Sequence, residues 1–442
     1  MIEAGQDGER KLRRDASIDQ TTPAAGRPRS RSRWIFRVLG LSLLTLWVYW
    51  WGRSFQENHL VSANHLWLPE LDVLAGDLMV NTVPPAKAMI AGRDPYSEGL
   101  AIYPPLAYLS FVWAAPMNPK SATITWLSAT AIIAGIGALA AGKARRRLAL
   151  EEVPWSILLV AVLFSNPLLF AMERGNLDSL ILLYVMLAIV LLKRGGAIAE
   201  TVAGVVCALA MWTKFYPGLL LVGIVALRRW RAIPGFVVAG ILIGLIDVPS
   251  LIKLSENMKT VIEIFSPTFN SFHVASHSLS TAWVTLLPNT KLEALTVIPG
   301  IVGAAFLLGP LLGWISLKVF CCPRRLDLAF PFLTWLLALA TFVPSLANDY
   351  NLFFLPIACL ASWDRRDPVV AHMLIALMIL WWQPVSLPIG GDLLLAFKYG
   401  GLVAVAICLN RRVIELSQTT SQQSHQARGA ASATPVRGVL GQ

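Results

Sequence analysis

Ser121-Ala-Thr-Ile-Thr-Trp-Leu-Ser-Ala-Thr-Ala-Ile-Ile-Ala-Gly-Ile-Gly-Ala-Leu-Ala-Ala141, followed at once by Gly142-Lys143-Ala144-Arg145-Arg146-Arg147, decides the fold. The run carries no charge. At helical rise, about 20 such residues cross a hydrocarbon core of about 30 Å. Its apolar residues are continuous rather than alternating, which selects a helix over a strand of a barrel. The basic cluster at its end marks the cytoplasmic side of a membrane.

The same unit recurs in both directions. Apolar runs occupy Trp34 to Trp51, Pro154 to Ala171, Leu177 to Leu192, Ala197 to Trp212, Phe215 to Leu227 and Ile233 to Leu251. They continue at Val297 to Val319, Leu328 to Ser345, Leu352 to Trp363, Val369 to Leu387 and Leu393 to Leu409. Lys193–Arg194, Arg228 to Arg231, Arg324–Arg325, Arg365–Arg366 and Arg411–Arg412 then all fall on one side. The expectation is an all-α integral membrane protein with about 12 transmembrane helices, a large first extracytoplasmic loop and both termini in the cytoplasm. Composition agrees: 56% of residues are hydrophobic and 14% charged, against about 25% charged in soluble domains.

Three parts follow. Residues 1–33 form a basic polar tail and 413–442 a second tail, both with the composition of disorder. Residues 34–412 form the membrane domain. Pro104 to Met117 is short for a span and reads as an interfacial or re-entrant helix. The net charge of +11 sits in short clusters between apolar runs, which excludes a nucleic-acid partner. The five cysteines show no disulfide framework and no zinc spacing. No metal or cofactor is expected.

Polar residues that chemistry needs collect on the outer face. The first loop carries Asp77, a Gly92-Arg93-Asp94-Pro95-Tyr96 turn and Tyr103-Pro104-Pro105-Leu106. Met172-Glu173-Arg174-Gly175-Asn176-Leu177-Asp178 joins two spans by a very short turn, so its charges lie near the hydrocarbon boundary, where they pair or line a wet cavity. Lys214 lies between two short apolar runs and needs an anion, for which a lipid-linked phosphate is the functional candidate. His277 lies in the second large outer loop and Asp349 in the short outer turn 347–351. Each has a plain alternative. Asp94 before Pro95 is a turn former, Tyr96 and Tyr103 are interfacial anchors, and Lys214 snorkels. The cytoplasmic loops are too short to build a nucleotide-sugar site. A transporter or lipid flippase is the competing reading, but it would set its ionisable groups at the midplane.

Taken in order, Asp77, Gly92-Arg93-Asp94-Pro95-Tyr96, Tyr103-Pro104-Pro105-Leu106, Arg174-Gly175-Asn176, Lys214-Phe215-Tyr216-Pro217 ahead of Arg228-Arg229-Trp230-Arg231, and Ser278-Leu279 resemble glycosyltransferase family 87. The resemblance runs from about Trp34 to Arg412. It implies a GT-C-type helical bundle in the plasma membrane with its active site facing outside. It implies inverting transfer of a sugar, mannose first, from a polyprenyl-phosphate donor to a glycolipid or glycan acceptor, with no cofactor. Asp77 matches the family's catalytic carboxylate and would be the general base. Lys214, Arg174 and His277 would bind the donor phosphate, and Asp94, Tyr96, Tyr103, Asn176 and Asp349 the substrates. Some members carry a histidine near Asp349, where this chain reads Asn348-Asp349-Tyr350, so the acceptor side stays open.

Overall fold

The structure is a computed structural model and describes residues 30–57, 74–97, 101–246, 248–272, 297–323, 325–341, 352–362, 364, 405 and 407–418. All regular elements among them are helical. In chain order they are α1 (Ser30–Glu57), α2 (Gly76–Asn81), α3 (Val83–Ile90), α4 (Pro105–Leu109), α5 (Pro119–Arg147), α6 (Trp155–Leu163), α7 (Asn166–Arg174) and α8 (Asp178–Arg194). Then come α9 (Ala197–Thr213), α10 (Leu220–Ala226), α11 (Ala232–Ile246), α12 (Val248–Phe272), α13 (Val297–Cys321), α14 (Ala329–Ala340) and α15 (Phe354–Ser362). Short 3₁₀ turns stand at Pro95–Ser97 and Tyr216–Leu219.

α5 is the axis of the bundle, packed by α6, α8 and α15. Its start is encoded locally. The Asn118 side chain accepts the Ser121 N–H at 2.9 Å, and Pro119 takes the first helical position, where no N–H is needed. Arg145, Arg146 and Arg147 close its last turn and complement the helix dipole. Arg145 is fully buried there, donating to the carbonyls of Glu151 and Leu360. Among the described residues α5 alone is long and apolar enough to cross a membrane, and up to three spans result if each bent helix pair counts as one.

Two expected spans are broken. Pro154 to Ala171 is α6 and α7, bent by 54°, because Pro167 cannot continue the α6 ladder and instead opens α7. Ile233 to Leu251 ends at Ile246, and α12 leaves at 84° with Pro249 in its first turn. The second outer loop, expected to begin at Ile252, is therefore helical through Phe272. Pro104 to Met117 is the single turn α4, which buries Tyr108, followed by tight turns that bury Phe111 and Ala114. Val369 to Leu387 and most of Leu393 to Leu409 lie outside the described residues.

Helical structure also occupies residues at both ends of the described chain. α1 begins at Ser30 and runs past Trp51 to Glu57. Residues 407–418 are helical. Leu416 is buried against Cys322 and Leu328, and Glu415 pairs with Arg411 and Arg412, which gives those residues a reason to fold.

α9 packs on α8 and α11. The α9–α11 contact is backbone on backbone. A Cβ on Gly204 would stand 1.9 Å from the Ala232 carbonyl oxygen, and one on Gly235 2.1 Å from that of Thr201. Trp212 seals the other end by donating to the Gly240 carbonyl at 2.9 Å. Small residues at crossing points are how helices approach when lipid, not water, surrounds them. Gly204→Ala is expected to cost about 1–3 kcal/mol through overpacking. Gly313→Ala, where nothing lies within 4 Å, should be neutral or slightly stabilising. Thermal unfolding of the two purified variants in one detergent checks the contrast.

Candidate active site

The site is built on the turn between α7 and α8. Gly175 ends α7 with φ of 70°, in the left-handed region that glycine adopts freely. Its missing side chain lets the first loop come close: a Cβ there would meet Ala75 Cα at 2.9 Å and Leu78 Cβ at 2.9 Å. The Ala75 N–H donates to the Glu173 carbonyl at 2.7 Å, and Trp126 of α5 donates its indole N–H to the Gly175 carbonyl at 3.1 Å. Ala75 itself has φ of 58°, a strained setting for a residue with a Cβ and one that recurs at functional sites.

This docking brings Asp77 against Arg174. Asp77 lies in the first turn of α2 and is 4% exposed. Arg174 Nη2 donates to its Oδ1 at 2.6 Å, and Asn81 reaches the same oxygen at 3.4 Å. The Arg174 side chain keeps 19% exposure, so the pair is open on the arginine side.

Four residues after Arg174, Asp178 opens α8 and is 0% exposed. It accepts Lys214 Nζ at 2.7 Å and the Tyr216 hydroxyl at 2.8 Å. The N-terminal end of α8 also favours its negative charge. Lys214 Nζ donates to Asn176 Oδ1 at 2.8 Å and stands 5.8 Å from the Tyr103 ring centre and 6.0 Å from that of Tyr216, within cation–π range. Arg174, Asn176 and Asp178 are thus consecutive contact points of one turn, and they link Asp77 on one side to Lys214 on the other.

Three buried polar atoms at this turn have no hydrogen-bond partner among the described residues: Asn81 Oδ1, Glu173 Oε2 and Asn176 Nδ2. Leaving such a group unpaired costs about 1–3 kcal/mol, and orphans of this kind concentrate where a site serves a ligand or a reaction. The cluster lies at the opposite end of α5 from its basic terminus. Trp126, which touches the turn, and Arg145 are roughly 28 Å apart along the axis at 1.5 Å per residue.

The other residues singled out from the sequence divide. Asp94 does not join the cluster. Its Oδ1 accepts the Tyr96 N–H at 3.0 Å and its Oδ2 the Lys253 ammonium of α12. Burial raises the Asp94 carboxyl, but the Lys253 hydrogen bond, the Tyr96 N–H and the Lys253 charge outweigh it and hold the group below its ordinary value. Tyr96 is buried, with its hydroxyl donating to the Tyr103 carbonyl at 2.8 Å. Tyr103 reaches the cluster through its ring. His277 and Asp349 lie outside the described residues. Sequence reading missed Asn81, Tyr108, Lys253 and Asn257. Only the last two left a signal, as polar residues at i and i+4 of one helix face. Among the described residues no His, Cys, Asp and Glu group could hold a metal.

An apolar helical bundle with buried carboxylates and cations gathered at one interhelical turn defines the class as a helical membrane protein. The chain belongs to Glycosyltransferase family 87, which it matches over residues 101–347. It is a glycosyltransferase. The matched stretch holds Tyr103, Arg174, Asn176, Asp178 and Lys214, while Asp77, Asp94 and Tyr96 precede it. Comparison with curated proteins and with solved structures gives no match.

Proposed function

We propose that the protein is an inverting glycosyltransferase that moves a sugar, mannose first, from a polyprenyl phosphate to a glycolipid or glycan acceptor on the extracytoplasmic face of the plasma membrane. The observation that carries the reading is the shared turn. Asp77 meets Arg174, and Lys214 meets Asn176 and Asp178, so a carboxylate and two cations border one polar region. That is the charge order a sugar phosphate and an attacking hydroxyl require. A GT-C-type bundle of about 12 spans over residues 34–412 remains part of the same reading.

The cations take different parts. Lys214 is 8% exposed and its ammonium is already held by Asp178 and Asn176. It supplies a fixed positive field under the leaving group. Arg174 is the more exposed cation, and its planar fork suits a phosphate. It takes the donor phosphate, and in doing so loosens its hold on Asp77 Oδ1. Asp77 then accepts the proton of the acceptor hydroxyl as that oxygen attacks the anomeric carbon. The bond from anomeric carbon to phosphate oxygen breaks, and its electron pair leaves with the polyprenyl phosphate. Fixed cations facing the developing phosphate charge lower the barrier, as preorganised donors do generally. His277 completes the phosphate side and Asp349 the acceptor side. Asn176, Tyr103, Tyr96 and Asp94 shape the substrate wall, Asp94 and Tyr96 by holding its backbone.

The test is donor choice. Purified protein given labelled polyprenyl-phosphate-mannose and a membrane lipid extract is expected to label a lipid or glycan product. The same protein given the nucleotide-linked sugar is expected to label none. Labelling from the nucleotide sugar alone would sink the proposal.

A further inference from the structure

We propose that Asn257 is a positioning residue for glycosyl transfer, holding the tyrosine-lined wall of the site in place from α12. The inference rests on the reaction assigned to this site. It starts from a helix that the sequence reads as loop. Asn257 Nδ2 donates to two main-chain carbonyls of the first loop, Tyr96 at 3.1 Å and Ala101 at 3.2 Å. Lys253, one helical turn earlier and on the same face, holds the Asp94 carboxylate, whose other oxygen caps the Tyr96 N–H. Leu254, beside them, is buried. α12 therefore grips the Asp94-Pro95-Tyr96 turn at a carboxylate and one carbonyl, and the chain beyond it at the Ala101 carbonyl.

The grip is relayed to the charge cluster. The Tyr96 hydroxyl donates to the Tyr103 carbonyl at 2.8 Å, and the Tyr103 N–H donates to the Tyr108 hydroxyl at 2.9 Å. Both main-chain polar groups of Tyr103 are thus held by tyrosines, and its ring stands over the Lys214 ammonium. Moving Tyr96 moves Tyr103, and with it the wall facing Lys214, Asn176 and Asp178. The chemistry of position 257 is specific. One short amide nitrogen offers two N–H donors to two acceptors. A carboxylate of the same shape would set like partial charges against both carbonyls, and leucine would supply no donor.

The experiment compares Asn257→Leu, Asn257→Asp and Asn257→Gln with the parent protein in one detergent, by two readouts. The first is the rate of tryptic cutting after Arg93, in the gripped turn. The second is transfer kinetics with polyprenyl-phosphate-mannose. Asn257→Leu and Asn257→Asp are expected to speed the cut and to lower kcat about tenfold or more, with KM for the donor changed less than roughly threefold. Asn257→Gln, which keeps both N–H donors, is expected to recover most of kcat. An unchanged cutting rate with unchanged kcat in Asn257→Leu overturns the proposal. An equal loss in all three variants, with a lowered unfolding temperature, makes the residue merely structural and overturns it too. If the parent protein transfers nothing from this donor, the donor assignment fails, and the cutting rate alone decides whether Asn257 anchors the turn.

Discussion

Asp77→Asn is expected to lower transfer by about 10²–10⁴-fold, the usual contribution of a positioned general base, while leaving the protein folded and able to bind donor. The substitution keeps the shape of the side chain and an oxygen that can accept from Arg174, which now donates at 2.6 Å. It removes the negative charge and the capacity to take a proton. Single-turnover transfer of labelled sugar, alongside donor binding, separates the two effects. Asp94→Asn is the control, since the Lys253–Asp94 pair is half-open to solvent and such pairs are worth about 0–1 kcal/mol. It should cost far less transfer than Asp77→Asn. Unchanged transfer in Asp77→Asn removes that carboxylate from the chemistry and leaves the shared turn as a structural ion-pair network.

The second large effect concerns the other half of the turn. Asp178→Ala leaves the Lys214 ammonium buried without its carboxylate, and breaking a buried pair by one partner costs about 3–5 kcal/mol. The same change strips the Tyr216 hydroxyl of its acceptor. The combined variant Asp178→Leu with Lys214→Met removes both charges and should regain most of the stability. It should not regain transfer, because the fixed positive field at the leaving group is gone. Unfolding midpoints and transfer rates of the three proteins decide the matter. A double variant no more stable than Asp178→Ala would mean that the pair is not a unit. A double variant with full transfer would take Lys214 out of the reaction.

The spans and the site differed in how far the sequence revealed them. α5 was legible as a span at Ser121 to Ala141, because a charge-free apolar run and the basic cluster after it are local signals; the helix itself runs from Pro119 to Arg147, through that cluster. The bends were not. Pro167 and Pro249 mark where a ladder must break, but the angles of 54° and 84° come from what each half packs against. The helical course of α12 was hidden because Ser255, Glu256, Asn257 and Lys259 look like loop residues until the face carrying Lys253, Leu254 and Asn257 meets the first loop.

The candidate site shows the same division at finer scale. That Arg174 and Lys214 each need an anion follows from the cost of a bare charge at a hydrocarbon boundary. Which anion each one takes does not follow from that cost. Arg174 pairs with Asp77, 97 positions away, and Lys214 with Asp178, 36 positions away.

By itself the sequence determined that the chain is helical and of membrane type, and that it belongs with the family 87 glycosyltransferases. Those properties rest on continuous apolar runs and short ordered motifs, which are read along the chain. Only the tertiary structure decided that Asp77 and Lys214 meet at the turn carrying Arg174, Asn176 and Asp178, and that Lys253 and Asn257 of α12 contact the Asp94–Tyr96 turn. Such pairings depend on which surfaces close together, here through a bare Gly175 against Ala75 and Leu78, and no local rule along the chain encodes that closure.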